Sequence, residues 1–202
     1  MSKINFILSL CCTVMISMGV IGCGSSGSSS SDSGPATYSQ TTLDSDVVWA
    51  VNGGMEQIYN DNLAGHIVGS QNLSASCPLG GNVNITGTTG YTDNTGITTV
   101  SLTYDMTGCK ITKTSSSGTT VSLTVTGSLV YTGSFNSSTN FKSENFQSQS
   151  LTMTGIAQRS NYNDATVNNA NCTYSGSTSA SSGSSGSVSG SVCGNPTVSW
   201  TY

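Results

Sequence analysis

The chain has 202 residues and a formal net charge of −4, with only 7% of its residues charged, against roughly 25% in ordinary globular proteins. Its five basic side chains are scattered and form no dense patch of the kind nucleic-acid binding requires, which excludes that class of function. Serine, threonine, asparagine and glycine stand in for the missing charges, as suits an extracytoplasmic β protein.

Lys3 opens the chain and is followed by an apolar run, Ile4 to Gly19, that includes Phe6, Ile7, Leu8, Leu10, Val14, Met15 and Ile16. The run is shorter than the roughly 20 apolar residues of a spanning helix and reads as an export signal. It closes on Val20-Ile21-Gly22-Cys23, which resembles the lipobox of bacterial lipoproteins. The resemblance covers residues 1–23. It implies removal of residues 1–22 as a signal peptide and lipidation of the Cys23 thiol with palmitate-class acyl chains. Several acyl chains hold a protein durably on a membrane, where one is marginal. Gly24 is not the aspartate that keeps such proteins in the inner membrane, so the resemblance implies lipid anchoring at the cell outer membrane, on the periplasmic or the surface side. Residues 23–43, rich in Ser and Gly, read as a flexible tether. Residues 44–202 then form a single domain of about 160 residues, enough for a real core.

From Asp46 to about Ser70, Val47, Val51, Met55, Ile58, Tyr59, Leu63 and Ile67 recur at helical spacing, which predicts an amphipathic helix with Ser45 as N-cap. Gly53-Gly54 and Asn60-Asp61-Asn62 weaken the pattern, so a bent helix or two short ones are expected.

Beyond it, Thr and Val alternate with the period of half-buried strands. A turn at Asp93-Asn94 sets Ile85 against Leu102, Val83 against Tyr104 and Gly81 against Met106. Between Val121 and Phe135 the odd positions are apolar or Gly and the even ones Ser or Thr, with Val130 the exception. Folding about Ser138 opposes Leu123 with Met153, Val125 with Leu151, and Phe135 with Phe141, so apolar meets apolar. The Asn-rich 161–171 segment reads as a long loop. A hairpin about Ser182-Gly183 follows, and a turn at Gly194-Asn195-Pro196 sets Val192 against Val198 and Val188 against Tyr202.

Removing Cys11, Cys12 and Cys23 from the count leaves four cysteines, an even number that in an exported domain reads as two disulfides. Of the three connectivities, hairpin symmetry selects Cys77–Cys109, completed by a bulge at Gly108, and Cys172–Cys193. The predicted fold is mainly β: a meander of about seven antiparallel strands, curled toward a half-barrel, with the N-terminal amphipathic helix as its cover.

Catalytic groups are scarce. His66 is the only histidine and reads as a helix-face residue. No Gly-x-Ser-x-Gly pentad exists, and Gly186-Ser187-Val188-Ser189-Gly190 places valine at its centre. Asp105 and Glu144 read as exposed strand carboxylates without partners, Asp93 as a turn residue, and Asp32, Asp44 and Asp46 as acids near the tether, so no pair for glycoside hydrolysis is indicated. Asn161, Asn163 and Asp164 offer oxygens to calcium, but lack the central Gly and distal Glu of a calcium loop. No Cys-x-x-Cys or haem-attachment motif occurs, and no cofactor is expected. Trp200 and Tyr202 end the chain as in the last strand of an outer-membrane barrel; the Ser/Thr faces of the other strands favour an edge strand packing its aromatics on the core. Ice-binding arrays and fibrils fit less well, given uneven turn spacing and two disulfides. The expected function is therefore not enzymatic: a structural or binding role at the envelope, with a protein or glycan as partner. The alternative is a carrier holding a lipid or other apolar ligand between sheet and helix, an architectural analogy.

Overall fold

The computed structural model describes residues 35–65, 68–197 and 199–201. The signal segment, the lipobox with Cys23, most of the tether, His66, Ile67, Val198 and Tyr202 lie outside the described residues.

One helix, α1 (Gln40–Asn62), precedes the strands β1 (Gly69–Ser76), β2 (Asn82–Thr92), β3 (Ile97–Thr114), β4 (Thr120–Asn136), β5 (Phe141–Gln158), β6 (Ala165–Ala180), β7 (Gly186–Val192), β8 (Asn195–Pro196) and β9 (Trp200–Thr201). Each strand pairs antiparallel with the next as far as β8, and β9 also pairs with β7. The protein is thus a mainly β meander of eight strand positions, the last shared by β8 and β9. It is not closed into a barrel, and α1 packs on one face.

α1 starts earlier than expected. Ser39 is its N-cap, accepting a hydrogen bond from Thr42 N at 3.1 Å, and Ser45 lies within it, donating to Thr41 O at 2.8 Å. Residues 36–43, assigned to the tether by composition, thus belong to the folded unit; Leu43 is buried and Ala36 bridges to Tyr162. The helix also ends earlier, at Asn62, and it is continuous. Its Gly53-Gly54 pair serves close approach. A Cβ on Gly54 would lie 2.7 Å from Ile111 Cδ1, and one on Gly53 3.0 Å from Lys113 Cε. Val47, Val48, Ala50, Val51, Met55 and Ile58 are fully buried against the sheet, each worth about 1.5–3 kcal/mol for the larger side chains.

Strand β1 is an addition to the expected meander: its sequence, GSQNLSAS, carries too few apolar residues to signal a strand. The β2–β3 hairpin turns through Asp93–Gly96, pairing Thr92 with Ile97, so Ile85 opposes Tyr104, Val83 opposes Met106, and Leu102 opposes Gly87. That is two residues from the expected register, and a shift of two keeps every side chain on its face. In β4 the apolar face is as expected, and Val130 is the exposed exception. Asn136 pairs with Phe141 and Phe135 with Lys142, one residue from the expected register. Beyond a bulge, Val125 opposes Met153 and Leu123 opposes Gly155. β6 begins at Ala165, so most of the Asn-rich segment is strand, and only residues 159–164 form the connection.

Bulges interrupt β3 at Thr107-Gly108, β5 at Gln149-Ser150 and β6 near Ala170-Asn171. Gly108 and Asn171 have positive φ, at 59° and 50°. Each extra residue inverts the inside–outside alternation beyond it. Hydroxyls meet the freed N–H groups: Gly108 N donates to Thr126 Oγ1 and Asn171 N to Thr152 Oγ1.

Both disulfides join the cysteines that hairpin symmetry selects, with Cα–Cα distances of 5.4 Å for Cys77–Cys109 and 4.6 Å for Cys172–Cys193. The second is not a direct cross-strand pair. The β6–β7 register sets Tyr174 against Val192, and Cys193 lies in the turn at φ 52°, reaching back to Cys172. That turn is shorter than expected, so Val192 opposes Asn195, and Val188 opposes Trp200 rather than Tyr202.

Candidate functional site

Two clefts open along the seam between α1 and the sheet. Between them lies a third, of about 130 Å³, lined by Trp49, Asn52, Gly53, Glu56, Lys142, Thr178 and Val188. Tyr174 Oη donates to Asn52 Oδ1 at 2.7 Å, and Asn52 Nδ2 donates to Thr178 Oγ1 at 3.2 Å, a buried polar strut from α1 to β6. Through this strut and the close approach of Gly54 to Ile111, helix and sheet meet directly at these positions.

The first cleft lies beside the C-terminal half of α1, with a volume of about 100 Å³. Its centre is Glu144, 2% exposed, a reversal of the expected exposed carboxylate. Below the β5 bulge the even positions face inward, so Glu144 shares the buried face with Phe146. The spacing Phe146–Leu151–Met153 carries the signal, because only a bulge puts all three on one face. Tyr131 Oη donates to Glu144 Oε1, and Lys142 Nζ is paired with Glu56 and lies 3.8 Å from Glu144 Oε2. Burial above all, then the neighbouring Glu56, pushes the Glu144 carboxyl up to about 7, against the pull of Tyr131 and Lys142. Tyr131 stacks between Tyr104 and Phe146, at centroid distances of 6.1 and 4.6 Å. The two carboxylates converge on one ammonium from the same chain, while Glu144 Oε2 is buried without a hydrogen bond.

The second cleft is wider, about 370 Å³, and opens at the N-terminal half of α1. Thr42, Ser45, Asp46 and Trp49 line it from the helix, Ser115, Ser117 and Thr119 from the β3–β4 turn, Arg159 from the β5–β6 connection, and Trp200 from β9. Trp49 and Trp200 meet with ring centroids 5.9 Å apart and planes tilted by 58°. Each is partly exposed, and they are the chain's two tryptophans. Asp46 Oδ2 is buried without a hydrogen-bond partner. Burial pushes its carboxyl up to about 6, with the Arg159 charge opposing the rise. Asp46 is thus a helix residue, as expected, that lines a cleft, and the neighbouring Asp44 is buried and bonded to Gln40 Nε2 at 2.8 Å.

The remaining candidates lie elsewhere. Asp105 and Asp93 are exposed, on β3 and in the β2–β3 turn. Asn161, Asn163 and Asp164 sit in the exposed β5–β6 connection. Asn161 O accepts from Ala36 N and Asn163 N donates to Ala36 O, both at 2.9 Å, while Asp164 accepts from Gln158. These residues pin the start of the folded unit. The outer face carries paired hydroxyls, among them Ser175–Ser191, Ser177–Ser189 and Ser179–Ser187 at 2.8–2.9 Å.

The wide cleft can stack a flat apolar surface on indole and give hydroxyl groups an acceptor in Asp46, a donor in Arg159 and partners in Ser and Thr. No protein-family model matches the chain, and no curated protein or solved structure matches it significantly.

Proposed function

We propose that the protein is a non-enzymatic binding protein of the bacterial envelope, held at the outer membrane by a lipid on Cys23, and that it takes a saccharide in the Trp49–Trp200 cleft. One observation carries the reading. The chain's two tryptophans, from opposite ends of the folded unit, meet over an opening that also contains a buried carboxylate oxygen without a donor. Sugars present both a C–H face for an aromatic ring and hydroxyls for a carboxylate. The cleft's volume falls in the lower part of the roughly 300–1,000 Å³ span of small-ligand sites. The reading of an apolar ligand between helix and sheet has less in its favour, since the polar strut Tyr174–Asn52–Thr178 crosses that interface.

Both tryptophans stand in the cleft, so intrinsic fluorescence reports on it directly. Titrating the full chain in detergent with soluble peptidoglycan fragments, and separately with polysaccharide fragments, is expected to change the emission saturably for one class. A flat response to every class up to millimolar concentration contradicts the reading. Radiolabelled palmitate is expected to enter the wild-type protein and not Cys23→Ala; equal labelling would remove the anchor.

A further inference from the structure

The two edges of the sheet are built differently. At one, the last strand position is broken into β8 and β9, two residues each, and Pro196 withholds a backbone N–H. This is how proteins blunt an edge against other strands. At the other, β1 runs eight residues in unbroken register with β2, and among the described residues it pairs with β2 alone. No Pro, bulge or charge interrupts it. From Asn62 to Thr92 the chain has no Asp, Glu, Lys or Arg. Leu73 and Ala75, on the core side of β1, are only partly buried. Val68 and Leu79, just outside its two ends, are more than half exposed.

We propose that two copies of this chain join through their β1 edges, antiparallel about a twofold axis, to form one continuous sheet. The occupant is a second copy because the edge complements itself. Strand β1 turns its backbone groups outward along about 26 Å, and a copy reversed by a twofold axis offers the same row in return. Two molecules of net charge −4 repel elsewhere, yet here they meet across uncharged strands. A register that keeps Leu73 and Ala75 of both copies on the core-side face covers the two side chains β1 leaves half open. Exposed Val68, just before β1, then lies beside the seam, adding apolar area to the hydrogen-bond ladder.

The test is the protein mass of the full lipidated chain in detergent, by light scattering over a dilution series. A dimer that dissociates on dilution is expected. Asn72→Lys puts an ammonium on the exposed face of β1 near its twin, and is expected to weaken the dimer about two- to fivefold. Ser76→Lys, at the far end of the strand, should act in the same direction, and Asn195→Lys on β8 should change nothing. Circular dichroism reports whether each variant keeps its fold, and Ser76→Lys decides the matter if Asn72→Lys does not. A mass of one chain at every concentration overturns the proposal, as when another segment of the same chain covers the edge. A dimer that withstands a charge on β1 overturns it too.

Discussion

The two clefts beside α1 use similar materials to opposite ends. Each holds a carboxyl pushed upward by burial, Glu144 to about 7 and Asp46 to about 6. Glu144 has Tyr131 as donor to one oxygen and Lys142, shared with Glu56, 3.8 Å from the other, which makes no hydrogen bond. Asp46 has the more distant Arg159 charge, an oxygen without a donor, and a wider opening between two indoles. A buried carboxyl with a donor and an ammonium from its own chain contributes to architecture, whereas one without either at a wider aromatic cleft has reason to take a ligand.

The largest way to separate the two regions is to remove the disulfides in turn. Replacing Cys172 and Cys193 by Ala is expected to cost about 3 kcal/mol of stability in urea unfolding. It should also weaken saccharide binding, because β7 carries β9 and thereby Trp200. Replacing Cys77 and Cys109 should cost about 3–4 kcal/mol and leave affinity unchanged. Equal effects on binding would break the distinction. Next, Lys142→Met withdraws the ammonium beside Glu144 and Glu56. A loss of about 2 kcal/mol is expected at about pH 8, discounted for partial exposure of the lysine, with affinity intact. Trp49→Ala should do the reverse, lowering affinity about tenfold in a calorimetric titration while the Glu144 cleft keeps its titration.

Further effects are in pH. The folded protein holds the Glu144 proton up to about 7, whereas the unfolded chain releases it near the usual 4.5. The contribution of neutral Glu144 is therefore full below that lower value and is lost as pH rises through the window between them. Glu144→Gln should flatten this slope in thermal melts. Saccharide affinity should instead rise with pH through about 6, as Asp46 ionises and becomes the better acceptor, and Asp46→Asn should remove that dependence. An affinity that follows Glu144→Gln would contradict the assignment of roles.

The sequence carried much of this fold and little of either cleft. Alternation from Val121 to Phe135 marked the buried face of β4, because period-2 burial is local. Registers slipped by one or two residues because turn length and bulges are set by backbone choices that composition does not mark. β1 was hidden by polar residues, and the first turn of α1 by Gln40, Thr41 and Thr42, which carry capping rather than apolar signal. Glu144 could be placed only by noticing that Phe146 and Leu151 differ in parity. The meeting of Trp49 with Trp200 depends on the whole meander bringing β9 back to α1, and no local pattern encodes it.

The most direct test is the nuclear magnetic resonance spectrum of the full chain in detergent, in which Trp49 and Trp200 contribute the two indole N–H signals. Adding the saccharide fragment that changes the fluorescence is expected to shift both signals together, along one binding curve, with the Lys142→Met protein behaving alike. Saccharide binding that leaves both indole signals unmoved would contradict the account.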